Sequence, residues 1–282
     1  MDFLNGVSGY FELQRKYDEL YRGYIARGVN RALSPSDTEF VPEMTLDAYL
    51  GVGVDALRII VSTLVGNLRE PPKSILDFPS GSGRVTRHIQ AFFPEASIVA
   101  ADLYKHHVEF CVNELGTQGM ISQENLDAVD FGPGFDLIFC GSLLTHLPEE
   151  AFRATLRLVS RSLSDTGIAI LSVLGRHAEY IQRNKWNYVD DKLYTIVEAG
   201  ILNSGYGYVD YDDNARSVLK LARYGLSWIR PHWTLKVLED DYEMRILGYV
   251  ERAWHDHQDI FVLGKPGINA LGHWPDRVPA VQ

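Results

Sequence analysis

A short apolar run, Ser74–Phe78, breaks off at Pro79-Ser80-Gly81-Ser82-Gly83-Arg84, and a helical stripe at Val85, His88, Ile89 and Phe92 begins directly after it. A strand that ends in glycines and turns into a helix lets backbone N–H groups come close to a ligand. Two ligand classes use that geometry. Dinucleotide enzymes need a further glycine, G-x-G-x-x-G, so that the helix packs tightly on the strand; here Thr86 stands at that position. Asp77, at the strand end, would sit badly beside a pyrophosphate but suits a ligand with an ammonium group and no phosphate. Asp102 closes the next apolar run, Ser97–Ala101, 19 residues after Gly83, where a carboxylate can accept both ribose hydroxyl protons of a nucleoside.

The chain has 9 histidines to weigh as proton acceptors. His146, in Leu143-Leu144-Thr145-His146-Leu147, follows the fourth apolar strand at the edge where open α/β sheets bind ligands; the alternative is a polar residue that helps to start the helix at Pro148. His255 and His257 lie in Trp254-His255-Asp256-His257-Gln258, between the last two strands, with Asp256 placed to orient one of them; the alternative is a surface hairpin. His-x-His offers too few ligands for zinc, so no metal is expected. His106-His107 reads as a solvated pair on the helix after Asp102. His232 and Trp233 open a later helix close to the expected site.

The elements that must hold these groups alternate. Residues 97–101, 119–122, 135–141 and 167–173 read as strands, separated by helices near 104–115 and after Pro148, the second with a stripe at Phe152, Leu156, Val159 and Leu163. Asp165–Gly167 reads as a turn. Such alternation specifies a doubly wound, mostly parallel α/β sheet. Helices are expected at 9–28 and 46–66, and two further strands at 244–253 and 259–264. We divide the chain into an N-terminal helical extension (1–45), a core (46–175 and 232–265), an aromatic-rich insertion after strand five (176–231) and a C-terminal tail (266–282). Within the insertion, Tyr206, Tyr208 and Tyr211 alternate with Asp210, Asp212 and Asp213, a polar-aromatic wall for a hydroxyl-rich acceptor or the core of a small lid.

These motifs together resemble the class I S-adenosylmethionine-dependent methyltransferases and are similar to those associated with bacterial glycan assembly. The resemblance covers roughly residues 46–175 and 232–265. It implies a seven-stranded sheet with an antiparallel last strand, S-adenosylmethionine as cofactor, and methyl transfer to an oxygen of a small molecule or glycan. It assigns Asp77, Phe78, Pro79, Ser80, Gly81, Gly83 and Arg84 to the methionine end, Asp102 and Leu103 to the ribose, Gln123 and Glu124 to the adenine, and Gly141 and Ser142 to the floor beneath the methionine. Pro79 stands where the family usually has its first glycine and removes one N–H donor. His146, His257 and His255 become the candidate bases, and Tyr208, Tyr211, His232 and Trp254 the candidate acceptor contacts. The rival reading is a methyltransferase-like module kept for binding or assembly, with an idle cofactor site.

Composition narrows the class. Lys and Arg number 27 against 37 Asp and Glu, a net charge of −10, which disfavours contact with nucleic-acid phosphates. Cys111 and Cys140 both lie in apolar runs, which fits buried thiols in a reducing compartment. The N-terminal residues do not read as a secretory signal, and no apolar run looks long enough for a membrane span. The expectation is a cytoplasmic enzyme, with a homo-oligomer left open.

Overall fold

The computed structural model describes residues 3–212, 223–242 and 244–267. Asp213 and most of the expected tail, residues 268–282, lie outside them. Two helices, α1 (Phe3–Arg27) and α2 (Leu46–Gly66), precede the alternating unit β1 (Ser74–Asp77), α3 (Thr86–Phe92), β2 (Ser97–Asp102), α4 (Lys105–Leu115), β3 (Gln118–Ile121), β4 (Phe135–Cys140), α5 (Glu149–Ser162) and β5 (Leu163–Leu174). Then come α6 (Arg176–Asn184), α7 (Asp191–Ser204), the antiparallel pair β6 (Tyr206–Asp210) and β7 (Gly225–Ile229), α8 (Pro231–Val237), β8 (Arg245–Trp254) and β9 (Gln258–Gly264).

The first five strands are parallel in the order β3-β2-β1-β4-β5. β9 lies antiparallel along β5 from Ile168 to Leu174, and β8 lies antiparallel along β9. Strands β1–β5, β8 and β9 correspond to the seven expected, with the last of them antiparallel. Alternate residues face opposite sides. Ile75, Ile98, Leu137 and Ile168 pack under α1, α2 and α3. Leu76, Val99, Ile138 and Ala169 face α5 and its stripe, Phe152, Leu156 and Val159.

Three expectations need correction. The sheet has two more strands than the seven expected, because part of the insertion joins it as β6 and β7. Beyond Cys140↔Leu171 the chain of β4 leaves β5, and β7 takes that side through Leu174↔Trp228. The turn expected at Asp165–Gly167 falls inside β5, with a register irregularity opposite Phe135–Leu137. Gly167 permits this, since a Cβ there would stand 2.5 Å from the Phe135 carbonyl oxygen. Finally, α2 is by length and composition apolar enough to cross a membrane, though half of its apolar window is buried inside the fold. Both cysteines are buried and free.

Candidate cofactor and acceptor site

β1 ends beneath the glycine turn and fixes it from below. Phe78 N–H donates to the Phe139 carbonyl (3.0 Å) and Ser80 N–H to the Ala101 carbonyl (2.8 Å), which ties the turn to β4 and β2. The Phe78–Pro79 bond is cis. Gly81 and Gly83 have φ of +51° and +75°, a region that glycine enters without the Cβ penalty. Their surroundings differ. A Cβ on Gly83 would stand 2.4 Å from Leu115 Cδ1, so this glycine lets α4 close on the turn. A Cβ on Gly81 would meet nothing within 4 Å, so this glycine faces open space, a cradle with bare backbone at its rim.

Asp77 is 1% exposed and accepts from Thr86 Oγ1 at 2.6 Å. Thr86, where dinucleotide enzymes need glycine, therefore has a partner of its own. Burial pushes the Asp77 carboxyl up to about 7; the Thr86 bond opposes this and the charge of Asp102 adds to it. Asp102 Oδ2 accepts from Gly81 N–H (2.9 Å), and Oδ1 accepts from Tyr104 N–H (2.9 Å) and meets His107 Nδ1 at 3.2 Å. Each carboxylate oxygen accepts about two hydrogen bonds, so one position, on Oδ2, stays open. Asp102 in this arrangement can take one ribose hydroxyl, where both were expected.

Other expected cofactor contacts are partly committed elsewhere. Phe78 is buried edge-on to Phe131, and Ser80 Oγ donates to the Gly81 carbonyl. Pro79 and Leu103 are half-buried at the turn and at the end of β2. Arg84 turns away to Glu39 (3.2 Å) and lies over the Tyr49 ring. Gln123 and Glu124 are exposed after β3. Gly141 is buried where a Cβ would come within 2.7 Å of Trp254. Ser142, with φ +58°, donates its N–H to Ser172 Oγ (2.7 Å), and its Oγ accepts from Gln258 Nε2 (2.9 Å).

On the acceptor side, β7 holds the loop after β4. Gly225 N–H donates to the His146 carbonyl, Ser227 N–H to the Thr145 carbonyl, and Ser227 Oγ to the Leu144 carbonyl. His146 Nδ1 stands 2.8 Å from the Gly225 carbonyl oxygen. A carbonyl only accepts, so Nδ1 carries the proton, and in the neutral ring Nε2 is the lone pair. Burial lowers the His146 pKa below its ordinary 6.5, against the Gly225 bond and the charge of Glu39. Tyr224 stacks on the ring (4.8 Å, 14°), and the Tyr211 ring lies 6.1 Å away.

The remaining candidates are placed differently. His255 is exposed; its N–H donates to Asp55. His257 Nδ1 meets the His255 carbonyl (3.0 Å), and its Nε2 faces Gln258 Nε2 (3.5 Å). Asp256 pairs with Arg252 (2.6 Å), so the expectation that it orients a histidine is corrected. Trp254 is a core side chain: its Nε1–H donates to the Val52 carbonyl and its ring packs edge-on to Phe139. His232 is exposed beside Gly205, past the end of β7 opposite to the one that holds His146. Tyr208 donates to Asp210 (2.6 Å), and Tyr206 is buried with its OH on the Leu147 carbonyl. Of the expected aromatic wall, Tyr211 stands beside His146.

Sequence reasoning missed the segment between α1 and α2. Arg87, 1% exposed, donates to the Gly83 and Ser82 carbonyls of the turn and to the Asn30 and Ala32 carbonyls of this segment. Tyr49 OH donates to Asp37. The segment is thereby fastened to the glycine turn and carries Asp37 and Glu39 to the site. His107, expected to be solvated, bonds Asp102, while His106 is exposed.

An open sheet of this strand order, with a glycine cradle and an acid at the end of β2, has the doubly wound architecture that binds nucleoside-bearing cofactors at its carboxyl edge. Residues 75–167 match the family model described as "Methyltransferase domain". Among curated proteins no sequence matches the chain significantly. Solved structures are similar in fold. A S-adenosylmethionine-dependent methyltransferase from Clostridium acetobutylicum ATCC 824 is 15% identical, over 76% of this chain and 92% of that one, with a TM-score of 0.51. The glycopeptide N-methyltransferase MtfA is 12% identical over 80% and 99% (TM-score 0.50). The mitomycin 7-O-methyltransferase MmcR is 9% identical over 78% of this chain; the match spans 54% of MmcR (TM-score 0.50). Residues 75–167 thus match a methyltransferase domain, within a fold similar to that of class I methyltransferases, and the cofactor is S-adenosylmethionine.

The residues present fit that cofactor. Gly81 offers bare backbone to open space, Asp102 Oδ2 has an open acceptor position, and Asp77, bonded to Thr86, has no salt-bridge partner among the described residues, so a bound ammonium would stabilise its charge. When bound, the cofactor supplies an electrophilic methyl group on a sulfonium.

Because burial raises Asp77, its sign in stability is the reverse of a salt-bridged acid. Between pH 3.8 and about 7 the folded chain keeps a proton that the unfolded chain has lost, so stability falls as pH rises through this window and levels off above it. Asp77→Asn, which cannot ionise, is expected to melt above the parent at pH 8 and near it at pH 4.5, a change worth on the order of a few kcal/mol. Thermal melts at the two pH values check this; a variant less stable at pH 8 would contradict it.

Proposed function

We propose that the chain transfers the methyl group of S-adenosylmethionine to an oxygen of a small hydroxyl-bearing molecule or glycan, with His146 as general base. The observation that carries this reading is the Gly225 carbonyl on His146 Nδ1 (2.8 Å), which leaves Nε2 as the basic atom at the carboxyl edge of the sheet. A hydroxyl acceptor must lose its proton as the new bond forms, and a neutral imidazole with a lowered pKa is ready to take it at pH 7. An amine acceptor that is already neutral needs no such base. β7 holds the ring in place, Tyr224 covers one of its faces, and Tyr211 adds a polar edge for the acceptor. We assign His257 no proton transfer, since both its nitrogens face local partners.

The test is a transfer assay with labelled methyl donor against phenols, sugars and amines, with the products resolved by mass and fragmentation. O-methylated products are expected. Products methylated on nitrogen alone would overturn the oxygen assignment. Micromolar binding of S-adenosylhomocysteine without any turnover would favour the idle binding module.

A further inference from the structure

His107 sits in the first turn of α4 and is turned inward, with 15% of its side chain exposed and 6% of that of Asp102. Its Nδ1 lies 3.2 Å from Asp102 Oδ1, which already accepts from Tyr104 N–H, while Oδ2 holds Gly81 N–H and keeps one open position. Three donors thus fix the carboxylate of the acid at the end of β2, and two of them are backbone groups that cannot be retuned. The third is a titratable ring.

The groups around the ring are Asp102 from β2, Tyr104 and His106 from its own segment, and Asp37 and the Ser36 backbone from the segment between α1 and α2. Burial disfavours the charged ring. The bond and charge of Asp102, the charge of Asp37 and the Ser36 backbone outweigh it, so the His107 pKa is raised above 6.5. A charged ring adds the attraction of opposite charges to its hydrogen bond on the carboxylate, which a neutral ring does not supply.

We propose that His107 is a positioning residue for the cofactor: it holds Oδ1 of Asp102 so that Oδ2, with its one open acceptor position, receives a ribose hydroxyl. The inference rests on the assignment of S-adenosylmethionine to this domain. It also joins the cofactor acid to the N-terminal segment, because the same ring lies between Asp102 and Ser36. When the ring loses its charge, the hold on Oδ1 weakens, the carboxylate gains freedom to rotate, and ribose binding loses its fixed acceptor.

The test is calorimetric titration of the full chain with S-adenosylhomocysteine between pH 6 and 9.5, for the parent, His107→Gln, His107→Ala and Asp77→Asn. On the alkaline side the parent is expected to lose about tenfold in affinity as His107 deprotonates, about 1.4 kcal/mol. His107→Gln keeps an N–H donor that does not titrate and should bind without that alkaline loss. His107→Ala should bind about tenfold more weakly at pH 7. Asp77→Asn should alter the acid side and keep the alkaline loss, which separates the two groups. Equal affinity of the parent and His107→Ala, or an alkaline loss that persists in His107→Gln, would overturn the proposal. A parent chain that does not bind S-adenosylhomocysteine at any pH would instead overturn the cofactor assignment beneath it.

Discussion

Asp102→Ala is expected to weaken S-adenosylhomocysteine binding about a hundredfold while shifting the thermal midpoint little. The carboxylate offers its open Oδ2 position to the ribose and also holds Gly81 N–H, so the substitution removes a charged acceptor and loosens the cradle backbone. A hydrogen bond to a charged group is worth about 1.5–3 kcal/mol, and each 1.4 kcal/mol is about tenfold in affinity. The fold should survive. Gly81 is half exposed and can turn its N–H to water, and the turn stays fastened by Ser80 N–H on Ala101 and by Arg87 on the Ser82 and Gly83 carbonyls. Calorimetry and a melting curve on the same sample separate the two effects. Parent-like affinity would remove Asp102 from the cofactor site.

His146→Gln is expected to lower kcat by about 10²–10⁴, the usual contribution of a general base, with S-adenosylhomocysteine affinity close to that of the parent. Glutamine can still donate to the Gly225 carbonyl, so the loop after β4 should keep its attachment to β7. What it lacks is the basic nitrogen. In the parent, burial holds the His146 pKa below 6.5, so the ring is neutral through the physiological range. The rate should rise with pH through a point below 6.5 and then level off, and the variant should lose that rise. A kcat unchanged by the substitution would exclude His146 as the base.

Much of this site was legible because its signals are local. The glycine turn, the acids at the ends of β1 and β2, and the alternation of apolar strands with striped helices all depend on residues a few positions apart. Period-two and period-3.6 patterning acts over that range. Gly81 and Gly83 could be read directly, since a tight strand-to-helix turn calls for residues that tolerate positive φ.

The sequence by itself thus determined the alternation that builds a mostly parallel sheet, the glycine cradle and the class of cofactor. Only the tertiary structure decided which groups meet across it. Trp254 looked like a site aromatic and proved to be core, because β8 packs its ring against Phe139 beneath Gly141. His107 looked solvated and instead bonds Asp102, because α4 turns that face of its first turn toward the end of β2. The insertion proved to be partly sheet: β7 enters where β4 and β5 diverge and holds His146 from 79 residues away in the chain. No local pattern encodes such pairings. They arise when distant segments compete to satisfy the backbone and ring donors left open at the carboxyl edge of the sheet, and that competition is settled only in the folded chain.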